Sequence, residues 1–494
     1  MDRMRRLGPA VAPLLALAAT LAAHQADAAP RRFATPSLPA AFDGAPAGSP
    51  LSPAQLDRWW LIFDDAGLNA LEDEAFRTGP DARTAAARVL EAKATRDSQV
   101  AQTLPTGNIA GNVSDQRSQN IGAKSSSLFP VGGETLSETA NLKVSWELDL
   151  FGRLREARKV AKASLDATRF NIEGSRASLA ASVADNYFVA KGLAIQIDDA
   201  RETVRIETNL QRIAQDKADL GLAAAADADR IAGDVARANA SLEDLVSQLH
   251  AARRQILILI GRNVDTVDSL ALVGATPEAP SVPSAIPGDL LARRPDVREA
   301  EAKLLAELGT ARLRHLAVFP TLTVLPQIGL SRSVQPGVSY NAQTQQLLPY
   351  QQATSLGYWT WAGGVTVPFF DIPHLLFDAR AEDARAKAAA VAYEKIVQTA
   401  FGEAENALVN LDAGRRATAI LVDGEARAHR ASDAANTRYA MGLDDLTSAL
   451  SAEQSWRTTR SALTSERVQT LRRAVTVYKA LGGGWAYAIP AKTR

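Results

Sequence analysis

Two pairs of carboxylates follow glycine residues that interrupt long helical stretches of the sequence. Asp227 and Asp229 follow the first of these glycines, and Asp444 and Asp445 follow the second. Carboxylates gathered around a narrow axis attract cations and repel anions, as acidic rings do in cation channels. Carboxylates at helix ends are equally compatible with ordinary solvated charges. The choice between these alternatives depends on the elements that position the two acidic pairs.

The sequence shows no arrangement typical of catalysis or metal binding. It contains no Cys, which excludes disulfides and thiolate chemistry, and its five His residues are scattered singly. No P-loop or GxSxG motif is present. The formal net charge is zero over 494 residues, which argues against a nucleic-acid-binding protein. We therefore expect no enzyme activity, no cofactor, no metal site and no nucleic-acid partner.

One pattern occurs twice along the chain. DARTAAAR at 81–88 matches DVREAEAK at 296–303, and LPT at 104–106 matches FPT at 319–321, with the same offset in residue number for both pairs. Later matches have a slightly larger offset, which a longer loop in the second copy explains. Each copy reads as a helix, two strands separated by a polar loop, and a very long helical stretch.

The helical stretches at 153–260 and 376–481 repeat their apolar residues at steps of three and four, as coiled-coil seams do. Gly221 and Gly442 interrupt them, so each stretch is predicted to be an antiparallel helical hairpin. A helix of about 60 residues would be about 90 Å long at 1.5 Å per residue. The preceding helices are predicted at about 65–102 and 287–317.

Four strands are predicted at about 106–116, 139–149, 321–332 and 357–369. The second places Leu142, Val144, Trp146 and Leu148 on one side and polar residues on the other. This alternation and length are typical of tilted outer-membrane strands, although a soluble sheet packed on the helices is the alternative. Aromatic residues suited to the two bilayer interfaces lie within these strands or at their ends: Trp146, Tyr358, Trp359, Trp361, Phe369 and Phe370.

The strand count predicts an oligomer. Four strands are too few to close a barrel, and an open sheet edge is not tolerated in lipid, so several chains must share one barrel. Two chains would give eight strands and a filled interior, and three would give twelve strands and room for a channel. Pro326 removes a hydrogen-bond donor within its strand, so we expect a bend or a bulge there. The Ser-, Asn-, Gln- and Gly-rich segments 119–136 and 334–355 are predicted as exposed loops.

The N-terminus predicts export. Three Arg residues precede the apolar run VAPLLALAATLAA and the small residues Ala26 and Ala28, as in a cleaved signal peptide. No later stretch is long and apolar enough for a transmembrane helix. We expect an outer-membrane protein that extends into the periplasm and, lacking Cys, is not lipidated.

Several motifs resemble the TolC/OprM family of outer-membrane efflux ducts over nearly the whole mature chain. They are VSWELDLFGRLREA, AIPGDLLARRPDVREAEAKL, AVFPTLTV, VPFFD and ALGGGW. The resemblance implies a homotrimer with a twelve-stranded outer-membrane β-barrel and a periplasmic α-helical barrel. PGDLLARRPDVREAEA resembles the branch that serves tripartite resistance–nodulation–division pumps. It implies a periplasmic adaptor and an inner-membrane transporter as partners, with outer-membrane lipid around the barrel.

The same resemblance points to a periplasmic gate. Arg438 and Tyr439 match the family's Arg-Tyr pair, which helps to latch neighbouring helices near the tip. Ser451 occupies the position at which the family pattern places an aspartate. Asp444 and Asp445, with Asp227 and Asp229 in the first copy, are therefore the candidates for a negative ring.

The predicted function is a passive exit duct for drugs or other small molecules. A duct for type I protein secretion and a non-transporting periplasmic coiled-coil scaffold are the alternatives. The predicted fold is mainly α-helical with a transmembrane β part, in two tandem repeats. The predicted segments are a signal peptide at 1–28, an equatorial segment at 29–64, repeat 1 at 65–265, a linker at 266–286, repeat 2 at 287–485 and a tail at 486–494.

Overall fold

The structure is a computed structural model, and it describes the chain in ten ranges. These are residues 38–39, 41–42, 53–119, 132–221, 224–270, 277–284, 287–288, 293–341, 343–441 and 443–485. The predicted signal peptide at 1–28, the tail at 486–494 and Gly442 lie outside these ranges.

The first half of the described chain runs from short helices through two strands into a long hairpin. Its elements are α1 (Pro53–Asp57), a 3₁₀ turn (Trp59–Phe63), α2 (Ala66–Thr78), α3 (Pro80–Ala101), β1 (Thr106–Gln119), β2 (Gly132–Leu148), α4 (Arg153–Asp219) and α5 (Ala225–Leu259). After a 3₁₀ turn at Val267–Ser269, the second half repeats this order from α3 onward. Its elements are α6 (Pro295–Leu316), β3 (Thr321–Asn341), β4 (Gln346–Thr366), α7 (Ile372–Ala440) and α8 (Leu446–Ala480).

The internal repeat holds at the level of individual elements. Helices α3 and α6 have 22 residues each and begin at equivalent prolines of the two copies, while α5 and α8 have 35 residues each. Both hairpins end at a glycine in the left-handed region, Gly261 at φ 84° and Gly482 at φ 77°. In each case the next residue donates a backbone hydrogen bond to the carbonyl five positions earlier, at 2.8 Å and 2.9 Å. This is the Schellman arrangement, which satisfies carbonyls at a helix end.

Two predicted helix bounds are wrong, and proline explains both. The stretch predicted as one helix at 65–102 is two helices, α2 and α3, which meet at Gly79. Pro80 has no N–H to donate to the preceding turn but suits the first position of a new helix. The stretch predicted as one helix at 287–317 is interrupted at Arg294, and α6 begins at Pro295, because the residue before a proline is disfavoured in the helical conformation.

The strands form one antiparallel sheet in the order β1-β2-β3-β4. Residues directly opposite each other point to the same face, so the register assigns every side chain to a face. One cross-strand row contains Ile109, Leu142, Ile328 and Trp359, all exposed in the single chain. We call this side the apolar face, and adjoining rows on it add Val144, Trp146, Leu148, Leu322, Val324, Leu330, Trp361 and Val365.

The opposite, polar face contains Asn108, Lys143, Gln327 and Thr360 in one row. Counted along β2 from Leu148, the first row of the apolar face with charged side chains is that of Glu138. Its carboxylate lies 3.4 Å from the guanidinium of Arg332. Between Leu148 and this row the strand covers about 25 Å along the barrel axis, at about 3.4 Å per residue and about 40° of tilt. That distance equals the height of the apolar band of outer-membrane barrels.

The strands are longer than predicted. The loop predicted at 334–355 is for the most part strand, since β3 continues to Asn341 and β4 starts at Gln346. The first hairpin likewise pairs out to Gln119 and Gly132. Ser-, Gln- and Gly-rich composition suggested a loop, but cross-strand backbone pairing satisfies a polar hairpin in water as well as an apolar one in lipid.

Pro326 interrupts the sheet without a bulge. It pairs with Trp361 on the β4 side, but pairing with β2 is broken between Gln327–Lys143 and Val324–Trp146. The register is the same on both sides of this break, so no residue is inserted. Of the bend or bulge predicted here, the register excludes the bulge, and the missing donor explains the interruption.

The chain divides into two compact units by its internal contacts. One, at 93–165 and 303–389 in its described part, holds the sheet; the other, at 34–92, 166–302 and 390–494, holds the main hydrophobic core. In the core, the Trp59 and Tyr478 rings stack with centroids 5.7 Å apart, and Phe63 contacts Phe188 at 5.0 Å. None of the described helices is both long and apolar enough to cross a membrane.

A buried ion pair lies in the second unit. The Asp65 carboxylate accepts hydrogen bonds from Lys191 Nζ at 2.9 Å and Tyr187 Oη at 2.7 Å, and it also caps α2 through the N–H groups of Gly67 and Leu68. Burial raises the pKa of the Asp65 carboxyl, but the Tyr187 and Lys191 hydrogen bonds outweigh it and leave the pKa below its usual range.

Replacing Val144 by Arg should impair insertion, because it places a charge on the apolar face near the middle of the band. The expected cost is about 2–4 kcal/mol. Ser145→Arg is the matched control, since this neighbour points to the polar face and should be tolerated. Refolding into lipid vesicles, monitored as detergent-resistant oligomer, measures the difference. Equal yields of both variants would contradict the assignment of the two faces.

Replacing Asp65 by Asn should destabilise the second unit by about 3–5 kcal/mol, because Asn keeps the cap of α2 but leaves buried Lys191 without its counterion. The depressed pKa means that this stabilisation is present above the unfolded value of about 3.9 and is lost as the pH falls through the folded value. Thermal unfolding in detergent measures it. Asp198→Asn, in an exposed pair with Arg201, is the control that should change little.

Candidate gate at the hairpin tips

The tip of the second hairpin is held by an ion pair between the last turn of α7 and the turn that leads to α8. Arg438 donates to Asp444 through Nε at 2.6 Å and Nη2 at 3.1 Å, across the turn between α7 and α8. Hydrogen bonding to Arg438 holds the pKa of the Asp444 carboxyl below its usual range. Within one chain, Asp444 is therefore neutralised by Arg438 and is not a free negative charge.

Asp445 has a different local role. Its carboxylate accepts a hydrogen bond from the backbone N–H of Ser448 at 2.7 Å and caps the start of α8. This bond lowers the pKa of the Asp445 carboxyl. An acidic N-cap suits a helix N-terminus, where unpaired N–H groups and the helix dipole favour negative charge. The residue could be placed near the tip from the sequence, but its capping bond depends on where the helix begins.

Tyr439 connects the two hairpins. Its hydroxyl accepts a hydrogen bond from Lys217 Nζ at 3.4 Å, and the same ammonium lies 5.8 Å from the centre of the tyrosine ring. Lys217 is exposed and Tyr439 is half-buried, and their contact is open to solvent, so it is weak. Lys217 was not predicted from the sequence. The repeat could have identified it, because the offset that relates α5 to α8 also makes Lys217 the equivalent of Arg438 in the first copy.

Among the described residues, the tip of the first hairpin has neither an ion pair across its turn nor an acidic N-cap. Ala224 occupies the N-cap of α5 and makes no side-chain capping bond, while Asp227 and Asp229 are exposed in the first turns of that helix. A small cluster of Ala214, Ala228 and Ile231 packs the hairpin just behind them. Ser451 is exposed on α8. The two acidic pairs thus occupy the equivalent ends of the two hairpins. Among the described residues, Asp227 and Asp229 form no ion pair.

The aromatic residues predicted for the bilayer interfaces fall into three groups. Trp146, Trp359 and Trp361 point to the apolar face and are 48%, 73% and 72% exposed in the single chain. Tyr358 points to the polar face instead, where its hydroxyl accepts a hydrogen bond from Gln327 at 3.1 Å. Phe369 and Phe370, which is 92% exposed, follow the end of β4.

A further aromatic contact was not predicted. The rings of Phe151 and Phe319 stack with centroids 5.0 Å apart, next to the end of β2 and the start of β3. The two residues are far apart in sequence, so only the pairing of β2 with β3 brings them together. With Phe369 and Phe370, this contact places four aromatic rings at the helix-proximal end of the sheet, of which only that of Phe319 is half-buried.

Comparison with known proteins agrees with this architecture. The family model described as outer membrane efflux protein matches residues 71–262 and 286–483. The chain is 28% identical over 467 residues to the pyoverdine export outer membrane protein OpmQ of Pseudomonas putida, covering 93% of this chain and 96% of that protein. It is 26% identical to the toluene efflux pump outer membrane protein TtgC of Pseudomonas putida, covering 92% of each chain.

Solved structures show the same fold. The outer-membrane channel OprN superposes with a TM-score of 0.78 at 25% identity, covering 92% of this chain and 99% of that chain. The CmeC outer membrane channel of Campylobacter jejuni also has a TM-score of 0.78, at 21% identity and coverages of 92% and 94%. The matched segments cover both copies of the repeat, and the two-faced sheet and long hairpins are those of the solved channels. The chain therefore belongs to the outer membrane efflux protein family, as an outer-membrane channel that extends into the periplasm.

Proposed function

We propose that three copies of this chain form a passive exit duct in the outer membrane, with their twelve strands in one barrel. The observation that carries this proposal is the sheet itself, in which β1 and β4 each pair with one neighbour and leave one edge open. Backbone groups on an open edge cannot find hydrogen-bond partners in lipid, so the edges of neighbouring chains must pair. A twelve-stranded barrel is also wide enough to leave a channel.

The duct serves a tripartite pump that expels small molecules. The resemblance of PGDLLARRPDVREAEA to the resistance–nodulation–division branch supports a periplasmic adaptor and an inner-membrane transporter of that class as partners. Relatives named for pyoverdine export, toluene efflux and antibiotic efflux support small organic compounds as cargo. Energy enters at the transporter, so the duct needs no catalytic site or cofactor. A type I protein secretion duct is the alternative.

The hairpin tips form the gate of this duct. The Arg438–Asp444 pair stiffens the tip of the second hairpin, and the Lys217–Tyr439 contact ties it to the first. Both contacts are exposed, so each is weak and can be exchanged for contacts with a docked adaptor at small cost. An adaptor that binds the open arrangement better than the closed one would shift the population toward the open state. Asp227, Asp229 and Ser451 lie nearby on the helices that would surround the opening.

The trimer is tested by extraction. The mature protein should leave membranes only with detergent and should run as a trimer that survives moderate heating in mild detergent. Loss of the gene should sensitise cells to small toxic compounds without stopping protein secretion. A monomer released by aqueous buffer would contradict the duct, and a secretion defect alone would favour the type I alternative.

Replacing Arg438 or Tyr439 by Ala should raise single-channel conductance in planar bilayers severalfold, because each change removes one of the contacts that hold the tip closed. Arg427→Ala is the control: Arg427 pairs with Asp423 at 2.8 Å on the same helix, in a pair that is more exposed and lies away from the turn. Its conductance should equal that of the parent. Unchanged conductance in both tip variants would remove the two residues from the gate.

A further inference from the structure

Charge is sparse on the polar face of the sheet. Among the described residues of β1 to β4 that point to this face, only Lys143 and Glu147 have charged side chains. The Glu147 carboxylate accepts a hydrogen bond from Arg153 Nε at 3.0 Å, so the first residue of α4 compensates its charge. On this face of the described strands, Lys143 is the one charge without a counterion.

Lys143 lies at the depth of the apolar band. Its opposite neighbours are Asn108 on β1 and Gln327 on β3, neither of them charged. Leu142 and Val144, before and after it along β2, point to the apolar face. The exposed ammonium is therefore level with the hydrocarbon core of the bilayer but on the side that faces the lumen of a barrel.

Threefold symmetry would place three such ammonium groups at one level. Twelve strands about 4.8 Å apart and tilted by about 40° enclose a barrel with a backbone diameter of about 24 Å. Each lysine therefore starts about 12 Å from the axis, and its side chain shortens that distance. The screening length is about 8 Å in 0.15 M salt and about 30 Å in 0.01 M salt. The three fields overlap across the lumen, most strongly at low ionic strength.

We propose that Lys143 forms a threefold ring of positive charge that makes the barrel lumen selective for anionic solutes, such as compounds with carboxylate or phosphate groups. This inference rests on the proposed trimeric duct and adds the charge class of its cargo. Three unit charges about 10 Å from the axis would enrich a monovalent anion about fourfold in 0.01 M salt and less than about twofold in 0.15 M salt. Polyvalent anions gain more, since the interaction energy scales with their charge.

The test is block of the ion current by ATP, a polyanion, in planar bilayers at low salt. ATP is added in turn to each side of the purified full-length trimer, so that one addition reaches the barrel from its loop end without passing the hairpin tips. The parent should be blocked from that side. In Lys143→Gln the ATP concentration for half-block should rise at least tenfold, whereas Lys143→Arg, which keeps the charge, should behave as the parent.

Arg332→Gln is the matched control, because it removes one positive charge per chain from β3 but on the apolar face. It should leave ATP block unchanged. The chloride-to-potassium permeability ratio, from reversal potentials in a KCl gradient, should fall in Lys143→Gln alone. Equal ATP block and equal permeability ratios in the parent and Lys143→Gln would overturn the ring. A protein that forms no conducting trimer would instead overturn the proposed duct.

Discussion

Backbone hydrogen bonding inside lipid is the constraint on which the rest of this structure depends. Water can satisfy an unpaired N–H or carbonyl group at a sheet edge, whereas hydrocarbon cannot. A single chain contributes a sheet with two open edges, at β1 and β4. The apolar face of that sheet is exposed in the monomer and has the height of a bilayer core. The monomer is therefore an incomplete unit, and its two edges and its apolar face are completed by further copies and by lipid.

The internal repeat means that few distinct structural units are needed for this assembly. One unit of helix, strand pair and helical hairpin is used twice per chain, so the proposed trimer would have six similar units around its axis. The equivalence is close where backbone geometry matters: α3 and α6 have equal lengths, as do α5 and α8, and both hairpins close with a glycine in the left-handed conformation. It is poor at the tips, where Lys217 replaces Arg438 and Ala224 replaces Asp445.

This inequality suits a gate. The second hairpin has an ion pair across its turn and an acidic cap, and the first has neither, so the two tips differ in how strongly their ends are held. All of the tip contacts are exposed and individually weak. In the proposed gate, a partner would easily displace a closed state built from such contacts, while the buried Asp65–Lys191 pair and the aromatic core stabilise the rest of that unit.

The repeat, the alternation of β2 and the spacing of the helical seams determined the order of elements, the two faces of the sheet and the hairpins from sequence alone, and the resemblance of several motifs indicated the family. These features are local or periodic, so they are visible without tertiary contacts. Strand arithmetic predicted that more than one chain shares the barrel, and the motif resemblance implied three. The helix breaks at Gly79 and Pro295 could have been predicted from the prolines, but the helical spacing of apolar residues around them favoured uninterrupted helices.

Tertiary structure alone decided which side chains meet. The hydrogen-bond partners of Tyr439 and Asp65 lie in distant parts of the sequence, and Phe151 meets Phe319 only through strand pairing. The register also decided that Tyr358 faces the polar side and that Lys143 lacks a counterion there, because a shift of one residue would exchange the two faces. Composition identified the charges at the tips, but only the fold showed that Asp444 is paired and Asp445 caps a helix.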